Sequence, residues 1–216
     1  MFDSNRNGRV YNLYLKNSGG TGADELLLKS DHNKRVQDWS ADGRFILYRD
    51  VDPNTKDDLW VLPLDGDRKP IPFLQTPFRE VRGRFSPDGH WIAYNSDESG
   101  RDEVYVQSFP PSAGKWQIST SGGEQPMWGR DGKELFYVNA NRSALMAVDV
   151  SHSAAGVPFK AGMPRELFRA QFANNSLSYD ISRDGRRFIT NARLTETTNV
   201  SPINVLLNWT AALNKK

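Results

Sequence analysis

Three carboxylates in this chain have the residue type that glycoside hydrolysis needs, because that reaction uses a pair of Asp or Glu side chains around the scissile bond. Asp38 and Asp180 each precede an apolar residue and then an Asp-Gly turn, and Glu124 is the third candidate. The sequence does not place any two of them at a catalytic separation. Polar residues are also common on strands that line a wet channel, and this second interpretation is the one we favour.

The serine and histidine residues make a weaker case for catalysis or metal binding. Ser18 and Ser121 each precede two glycines but lack the G-x-S-x-G pattern of a nucleophile elbow, so they are assigned to turns. The histidines are too scattered for a metal site; they are His32, His90 and His152. With no cysteine in the chain, thiolate catalysis and Cys-ligated zinc are excluded.

The segment from Asp50 to Asp58 resembles a calcium-binding EF-hand loop at its first, third and fifth positions. Thr55 stands where that loop requires Gly, and Val61 stands where it requires a bidentate Glu. The sequence therefore predicts a hairpin tip here, and we expect neither a metal nor another cofactor.

Composition narrows the class of partner. The 216 residues are 38% hydrophobic, and 28 basic and 26 acidic side chains give a net charge of +2. This balance gives no whole-chain case for nucleic-acid binding. No run approaches the roughly 18 apolar residues that span a bilayer, so we expect no membrane insertion. Residues 1–8 lack the apolar core of a signal peptide, and we expect no leader in this sequence.

Four copies of one short pattern organise the chain. They are Trp39-S-A-D-G-R-F-I-L-Tyr48, Phe85-S-P-D-G-H-W-I-A-Tyr94, Trp128-G-R-D-G-K-E-L-F-Tyr137 and Ile181-S-R-D-G-R-R-F-I-Thr190. The Asp-Gly pairs recur every 43 to 53 residues, which is the spacing of propeller blades. Asp-Gly favours a tight turn, and the apolar run after it is typical of a strand covered on both faces. The sequence therefore predicts an all-β propeller with four-stranded antiparallel blades.

Aromatic residues recur at fixed positions of this repeat, and recurrence in successive blades predicts packing between them. One set is Trp39, Phe85 and Trp128; another is Tyr48, Tyr94 and Tyr137.

We predict a single domain over residues 1–216 that contains about four to five blades' worth of strands. Full blades are expected at 36–77, 81–120 and 124–169, with partial blades at 8–30 and 177–209. We expect part of a larger ring, whose open blade edges could pair with another chain. Alternatively, the first two strands of the last blade pair with Asn12–Lys16 and Glu25–Lys29 and close a four-bladed ring.

The run from Phe85 to Val106 closely resembles the WD-like repeat of TolB-type propellers, with F-S-P-D-G, I-A-Y, S-D and E-V-Y-V in order. The other copies match less closely, and together the copies cover nearly the whole chain. The resemblance implies a bacterial, non-enzymatic module for protein or peptide interaction or sensing. It also implies a periplasmic or other extracytoplasmic location, which the sequence itself leaves open.

Two further resemblances concern the longer protein from which such a propeller could come. Residues 205–216 resemble the end of bacterial proteins that carry a propeller after a serine/threonine kinase and a membrane span, although no kinase motif occurs here. The alternative is a fragment of a propeller enzyme, either glycoside hydrolase-like or the propeller of a prolyl-oligopeptidase-like peptidase.

Recognition is expected on the variable loops of such a rigid frame, around the mouth of the channel. Their mixed charge suits a polar peptide or protein segment better than a nucleic acid. The candidate binding residues are Arg49, Asp50, Arg79, Glu80, Arg82, Asn95, Asp97, Glu124, Gln125, Asn174 and Asn175. No residue is assigned to catalysis or to a metal.

Overall fold

The structure, a computed structural model, describes residues 1–112, 114–151, 159–174, 177–182 and 184–191. Every regular element within these ranges is a β-strand. The described ranges contain no helix that is long and apolar enough to cross a bilayer. Four predicted features lie outside the described residues: His152, Asn175, the part of the last partial blade beyond residue 191, and the C-terminal segment 205–216.

The described strands follow one another along the chain in antiparallel sheets. They are β1 (Phe2–Ser4), β2 (Asn12–Leu15), β3 (Glu25–Leu28), β4 (Asn33–Trp39), β5 (Phe45–Asp52), β6 (Lys56–Pro63), β7 (Ile71–Leu74), β8 (Glu80–Phe85), β9 (Trp91–Ser96), β10 (Glu103–Ser108), β11 (Lys115–Gln117), β12 (Gly123–Trp128), β13 (Glu134–Asn139), β14 (Ala144–Ser151), β15 (Lys160–Ala161), β16 (Arg165–Arg169), β17 (Tyr179–Ile181) and β18 (Phe188–Thr190).

Three sheets have the four-stranded form of a propeller blade. Strands β4 to β7 form the first and β8 to β11 the second. Strands β12, β13, β14 and β16 form the third, with the short β15 also paired to β14. Strands β1 to β3 form a three-stranded sheet, and β17 pairs with β18. The prediction of an all-β partial propeller is confirmed.

The N-terminal sheet differs from the sequence-based prediction, which contained only β2 and β3. Phe2 pairs with Tyr14 and Ser4 pairs with Asn12, so β1 occupies one edge of β2 while β3 occupies the other. Pairing of the last blade with β2 is therefore wrong, because neither edge of β2 is free for another strand.

The second strand of each four-stranded blade contains at least three consecutive buried residues, as its apolar run predicted, whereas β18 of the last strand pair leaves Ile189 62% exposed. Tyr48, Tyr94 and Tyr137 are exposed by only 1%, 1% and 3%, which confirms their packing between blades. The aromatic set formed by Trp39, Phe85 and Trp128 is less uniformly buried. Phe85 and Trp128 are buried, whereas Trp39 is 39% exposed and donates a hydrogen bond from Nε1 to the carbonyl of Gly43.

A bulge interrupts the inner strand of each four-stranded blade. The register shifts between Val36 and Asp38 in β4, between Val81 and Arg84 in β8, and between Glu124 and Met127 in β12. An extra residue bends a strand and redirects its side chains. Arg82 in the β8 bulge and Gln125 in the β12 bulge have left-handed backbone conformations, with φ of 57° and 58°. Such strain persists only where the surrounding structure enforces it.

Gly83 in the β8 bulge tests how tightly two blades pack. A Cβ atom there would lie 2.5 Å from Cδ2 of Leu47 and 3.2 Å from Cδ1 of Leu59, both in the preceding blade. We expect Gly83→Ala to lower the free energy of unfolding by about 1–3 kcal/mol in urea denaturation, because the core must shift to admit a methyl group. Gly129→Ala is the control, since its nearest atom would be 3.4 Å away. Equal losses in both variants would contradict this account of the packing.

Candidate binding site in the central channel

The inner strands surround a cavity of about 570 Å³. Five arginines contribute to its wall: Arg35, Arg49, Arg79, Arg82 and Arg84. The other wall residues are Asp3, Val36, Gln37, Val81, Gln125, Pro126, Met127 and Leu177. Among the residues that the structure describes, Asp3 is the one carboxylate in this wall.

Strand register explains how the arginines meet. Arg35 on β4 lies directly opposite Arg49 on β5, and directly opposite residues project from the same face of a sheet. Arg82 and Arg84 come from the bulged β8 of the next blade, and Arg79 directly precedes that strand. The arginines thus belong to two adjacent blades.

Carboxylates hold most of these guanidinium groups in place. The pairs are Arg35 with Asp3 (2.9 Å), Arg79 with Asp102 (2.5 Å), Arg84 with Asp38 (3.7 Å), and Glu124 with both Arg82 and Arg142. Except for Asp3, none of these carboxylates is in the cavity wall. The wall therefore presents the cations, and most of the compensating anions lie behind it.

Arg49 is compensated less well than its neighbours. Its Nε lies 3.5 Å from Oδ1 of Asp57 and has no hydrogen-bond partner among the described residues. Burial lowers the pKa of Arg49, and Asp57 opposes that effect. Repulsion from Arg35, Arg79 and Arg82 lowers the pKa further. A guanidinium group still remains charged, since its ordinary pKa is above about 12.

The structure brings several predicted binding residues to the channel. Arg49, Arg79, Arg82 and Gln125 are in the cavity wall, and Glu124 lies behind it between two guanidinium groups. The Asp97 carboxylate accepts a hydrogen bond of 2.8 Å from the backbone nitrogen of Arg79. Asn174 is exposed.

Four predicted binding residues are buried, so their expected exposure on loops is wrong. Gln125 is 4% exposed, and its Oε1 accepts hydrogen bonds from the backbone nitrogen and the hydroxyl of Ser178. Glu80 is 1% exposed and accepts a hydrogen bond from the hydroxyl of Thr76. Asn95 is 0% exposed and holds two blades together through backbone groups. Asp50 is 9% exposed and pairs with the buried Lys34. The side chains of Glu80, Asn95 and Asp50 stabilise the frame of the channel and do not lie on its surface.

Arg35 is the main wall residue that sequence reasoning missed. It lies on the inner strand N-terminal to the bulge, and its sequence neighbours give no sign that it meets Arg49. Arg84 occupies the same repeat position as Asp38, so aligning the repeats could have identified Arg84 as a residue of the channel.

The carboxylates considered for catalysis have structural partners. Asp38 accepts a hydrogen bond of 2.8 Å from the backbone nitrogen of Phe85. Burial raises the pKa of Asp38, while Arg84 and this hydrogen bond lower it. Asp180 is exposed and accepts a 2.7 Å hydrogen bond from the nitrogen of Ile181. The predicted hairpin tip within Asp50–Asp58 is confirmed, since β5 and β6 pair on either side of it.

Comparisons with known proteins support the architecture. A solved structure described as TolB from Agrobacterium tumefaciens matches with a TM-score of 0.59 and 20% identity, covering 78% of this chain and 61% of that one. TolB from Acinetobacter baumannii matches with a TM-score of 0.55 and 19% identity, covering 86% and 49%. A puromycin-hydrolyzing peptidase of Mycobacterium tuberculosis matches with a TM-score of 0.57 and 14% identity, covering 83% and 33%.

This chain spans less than two thirds of the length of each of these three structures. No protein-family model and no curated protein sequence matches it significantly. At such low identities the structural matches establish the fold and leave activity open. Its phased repeat, its four-stranded antiparallel sheets and these matches show that the chain has the fold of a partial β-propeller, similar to that of the TolB structures.

Proposed function

We propose that this chain is a non-enzymatic recognition module that binds a peptide or protein segment at the channel of its propeller. The observation that carries the proposal is the convergence of five arginine residues on the wall of one cavity. Guanidinium groups are directional hydrogen-bond donors that stay protonated, so they suit recognition better than proton transfer. The four-stranded blades supply the rigid frame that positions them.

The binding residues in this proposal are residues of the cavity wall, together with the side chains that hold them in position. Arg49, Arg79 and Arg82 would contact the partner. Glu124 would hold Arg82 in position, and the buried Gln125 would support the wall. A periplasmic or other extracytoplasmic location belongs to the same proposal. It is supported by the resemblance of the repeat to TolB-type propellers and by the two TolB structures among the matches.

A random peptide library displayed on phage provides the test. We expect the intact protein to enrich a family of related peptides, whose affinities can then be measured by biolayer interferometry. Removing the side chains in Arg79→Ala/Arg82→Ala should weaken binding by about tenfold or more, since a charge-assisted hydrogen bond contributes about 1.5–3 kcal/mol. Thermal unfolding followed by circular dichroism would verify that the variant keeps its fold.

The matched control is Arg44→Ala/Lys133→Ala, which removes two exposed cations from Asp-Gly turns. We expect this variant to bind the selected peptides with unchanged affinity. If the turn changes abolish binding and the channel changes leave it intact, the proposed face is wrong. If the library yields no peptide that binds the folded protein, the proposed function itself fails.

A further inference from the structure

We infer that the partner segment is acidic, and that its side-chain carboxylates bind in the channel to the guanidinium groups of Arg35, Arg49 and Arg79. This inference rests on the proposed function and adds the chemical class of the ligand. It stands on three independent features of the channel: the charge of its wall, a like-charged pair across two strands, and the incomplete pairing of Arg49.

The first feature is the charge that faces the cavity. Five arginines and one aspartate are in the wall, while Asp38, Asp57, Asp102 and Glu124 pair with those arginines from outside it. A ligand that enters the cavity therefore meets cations first. Walls of low dielectric constant focus such a field and favour anionic ligands.

The second feature is the pair of arginines directly opposite each other on β4 and β5. Like charges at opposite positions of an antiparallel ladder destabilise the sheet. The equivalent pairs in the next two blades, Val81 with Asn95 and Glu124 with Val138, contain no like charges. An anion bound between Arg35 and Arg49 would neutralise this repulsion, which gives the pair a role that folding alone does not explain.

The third feature is the hydrogen-bond donor capacity that remains at the Arg35–Arg49 pair. Among the described carboxylates Arg49 pairs with Asp57 alone, at 3.5 Å, and no described group accepts a hydrogen bond from its Nε. The Arg35 guanidinium lies over the ring of Tyr11, 3.4 Å from its centroid, which fixes its position. Carboxylates match the planar fork of a guanidinium group and bind it through two parallel hydrogen bonds.

The arrangement favours a peptide that carries more than one carboxylate. The cations come from β4, β5 and the segment before β8, so they span two blades and can pair with carboxylates at separate positions of a ligand. The cavity of about 570 Å³ lies within the range of sites that enclose a ligand or a few side chains. In an extended peptide, residues i and i+2 project from the same face, so alternating Glu residues would present their carboxylates together.

Fluorescence anisotropy with three labelled peptides of equal length tests this inference. One peptide alternates Glu with Ser, the second has Gln in place of every Glu, and the third has Lys. We expect the Glu peptide to bind at least about tenfold more tightly than the Gln peptide and the Lys peptide not to bind. Raising the salt concentration should weaken binding of the Glu peptide, because ions screen charge pairs.

Variants assign the effect to the channel. Arg49→Gln should weaken binding of the Glu peptide by about tenfold and leave any binding of the Gln peptide unchanged. Arg49→Lys should recover only part of the affinity, since an ammonium group retains the charge without the fork. Arg44→Gln, on an exposed turn, is the control and should behave like the unaltered protein.

Two results would overturn the inference, and they differ in what they mean for the proposed function. Equal affinity for the Glu and Gln peptides would exclude an acidic ligand but leave peptide binding intact. Binding of citrate or inorganic phosphate in calorimetry, with none of the three peptides bound, would show a small-anion site and reject a peptide ligand. The proposed function fails separately, through the absence of any peptide selected from the random library.

Discussion

Replacing Asn95 with leucine is expected to lower the free energy of unfolding by about 2–5 kcal/mol, because two buried backbone groups would lose their partners. The Asn95 side chain is 0% exposed. Its Nδ2 donates a hydrogen bond of 2.7 Å to the carbonyl of Gly123, and its Oδ1 accepts one of 2.9 Å from the nitrogen of Gln125. These bonds join β9 of one blade to β12 of the next. Leucine has a similar volume but no polar atom.

Urea denaturation of the Asn95→Leu variant measures this loss. The control is Asn174→Leu, at an exposed position, where a change within about 0.5 kcal/mol is expected. Because Gln125 is in the wall of the channel, the Asn95 variant should also bind selected peptides more weakly even where it remains folded. A loss of stability below about 1 kcal/mol would contradict the role of Asn95 as a clamp between blades.

Asn95 also illustrates what the repeat reveals and what it leaves open. Arg49, Asn95 and Val138 each follow the buried tyrosine of their blade, so they occupy one repeat position. Arg49 faces the channel, Asn95 holds the next blade, and Val138 is packed in the core. Strand spacing, Asp-Gly turns and buried tyrosines are local properties, and the sequence predicts them. The role of a polar residue depends on its neighbours in another blade, which local patterns do not encode.

The candidate site was predicted less well than the fold for the same reason. The bulges in β4, β8 and β12 add one residue to each inner strand and change which side chains reach the channel. A strict alternation of inward and outward residues does not anticipate that change. The pairing of Arg35 with Arg49 likewise follows from a register that only the folded sheet defines. The sequence could place the channel at the inner strands but could not identify its charge.

Glu80 is expected to make the stability of the propeller depend on pH between about pH 4 and pH 8. Burial raises the pKa of Glu80 from the ordinary value of 4.5 to about 7; a hydrogen bond from Thr76 lowers it, and repulsion from Asp58, Glu98 and Asp97 raises it. A raised carboxyl pKa favours the protonated form in the folded state. Its stabilising contribution is therefore complete below about pH 4.5 and is lost as the pH rises through 7. The shift corresponds to about 3 kcal/mol.

The equivalent contact in the next blade shows why this acid is unusual. Glu80 begins β8 beside Asp58 of β6, and the corresponding residues one blade later are Gly123 and Glu103. Glu103 has full partners there, accepting hydrogen bonds from Ser119, Gly122 and Arg101. At the Glu80 contact, Oε2 of Glu80 and Oδ1 of Asp58 are both buried without a hydrogen-bond partner among the described residues. Two carboxyl groups therefore share a site that holds one in the neighbouring blade.

Urea denaturation at about pH 4 and pH 8 separates the contribution of Glu80 from those of the other acids. Glu80→Gln replaces the carboxyl group with an amide that cannot ionise. We expect the variant to gain stability relative to the unaltered protein as the pH rises, by up to about 3 kcal/mol at pH 8. Glu80→Asp retains an ionisable group and should keep the pH dependence, which separates ionisation from side-chain shape. Parallel stability curves for the unaltered protein and Glu80→Gln would show that the pKa of Glu80 is the same in the folded and unfolded states, and that burial at this blade contact does not raise it.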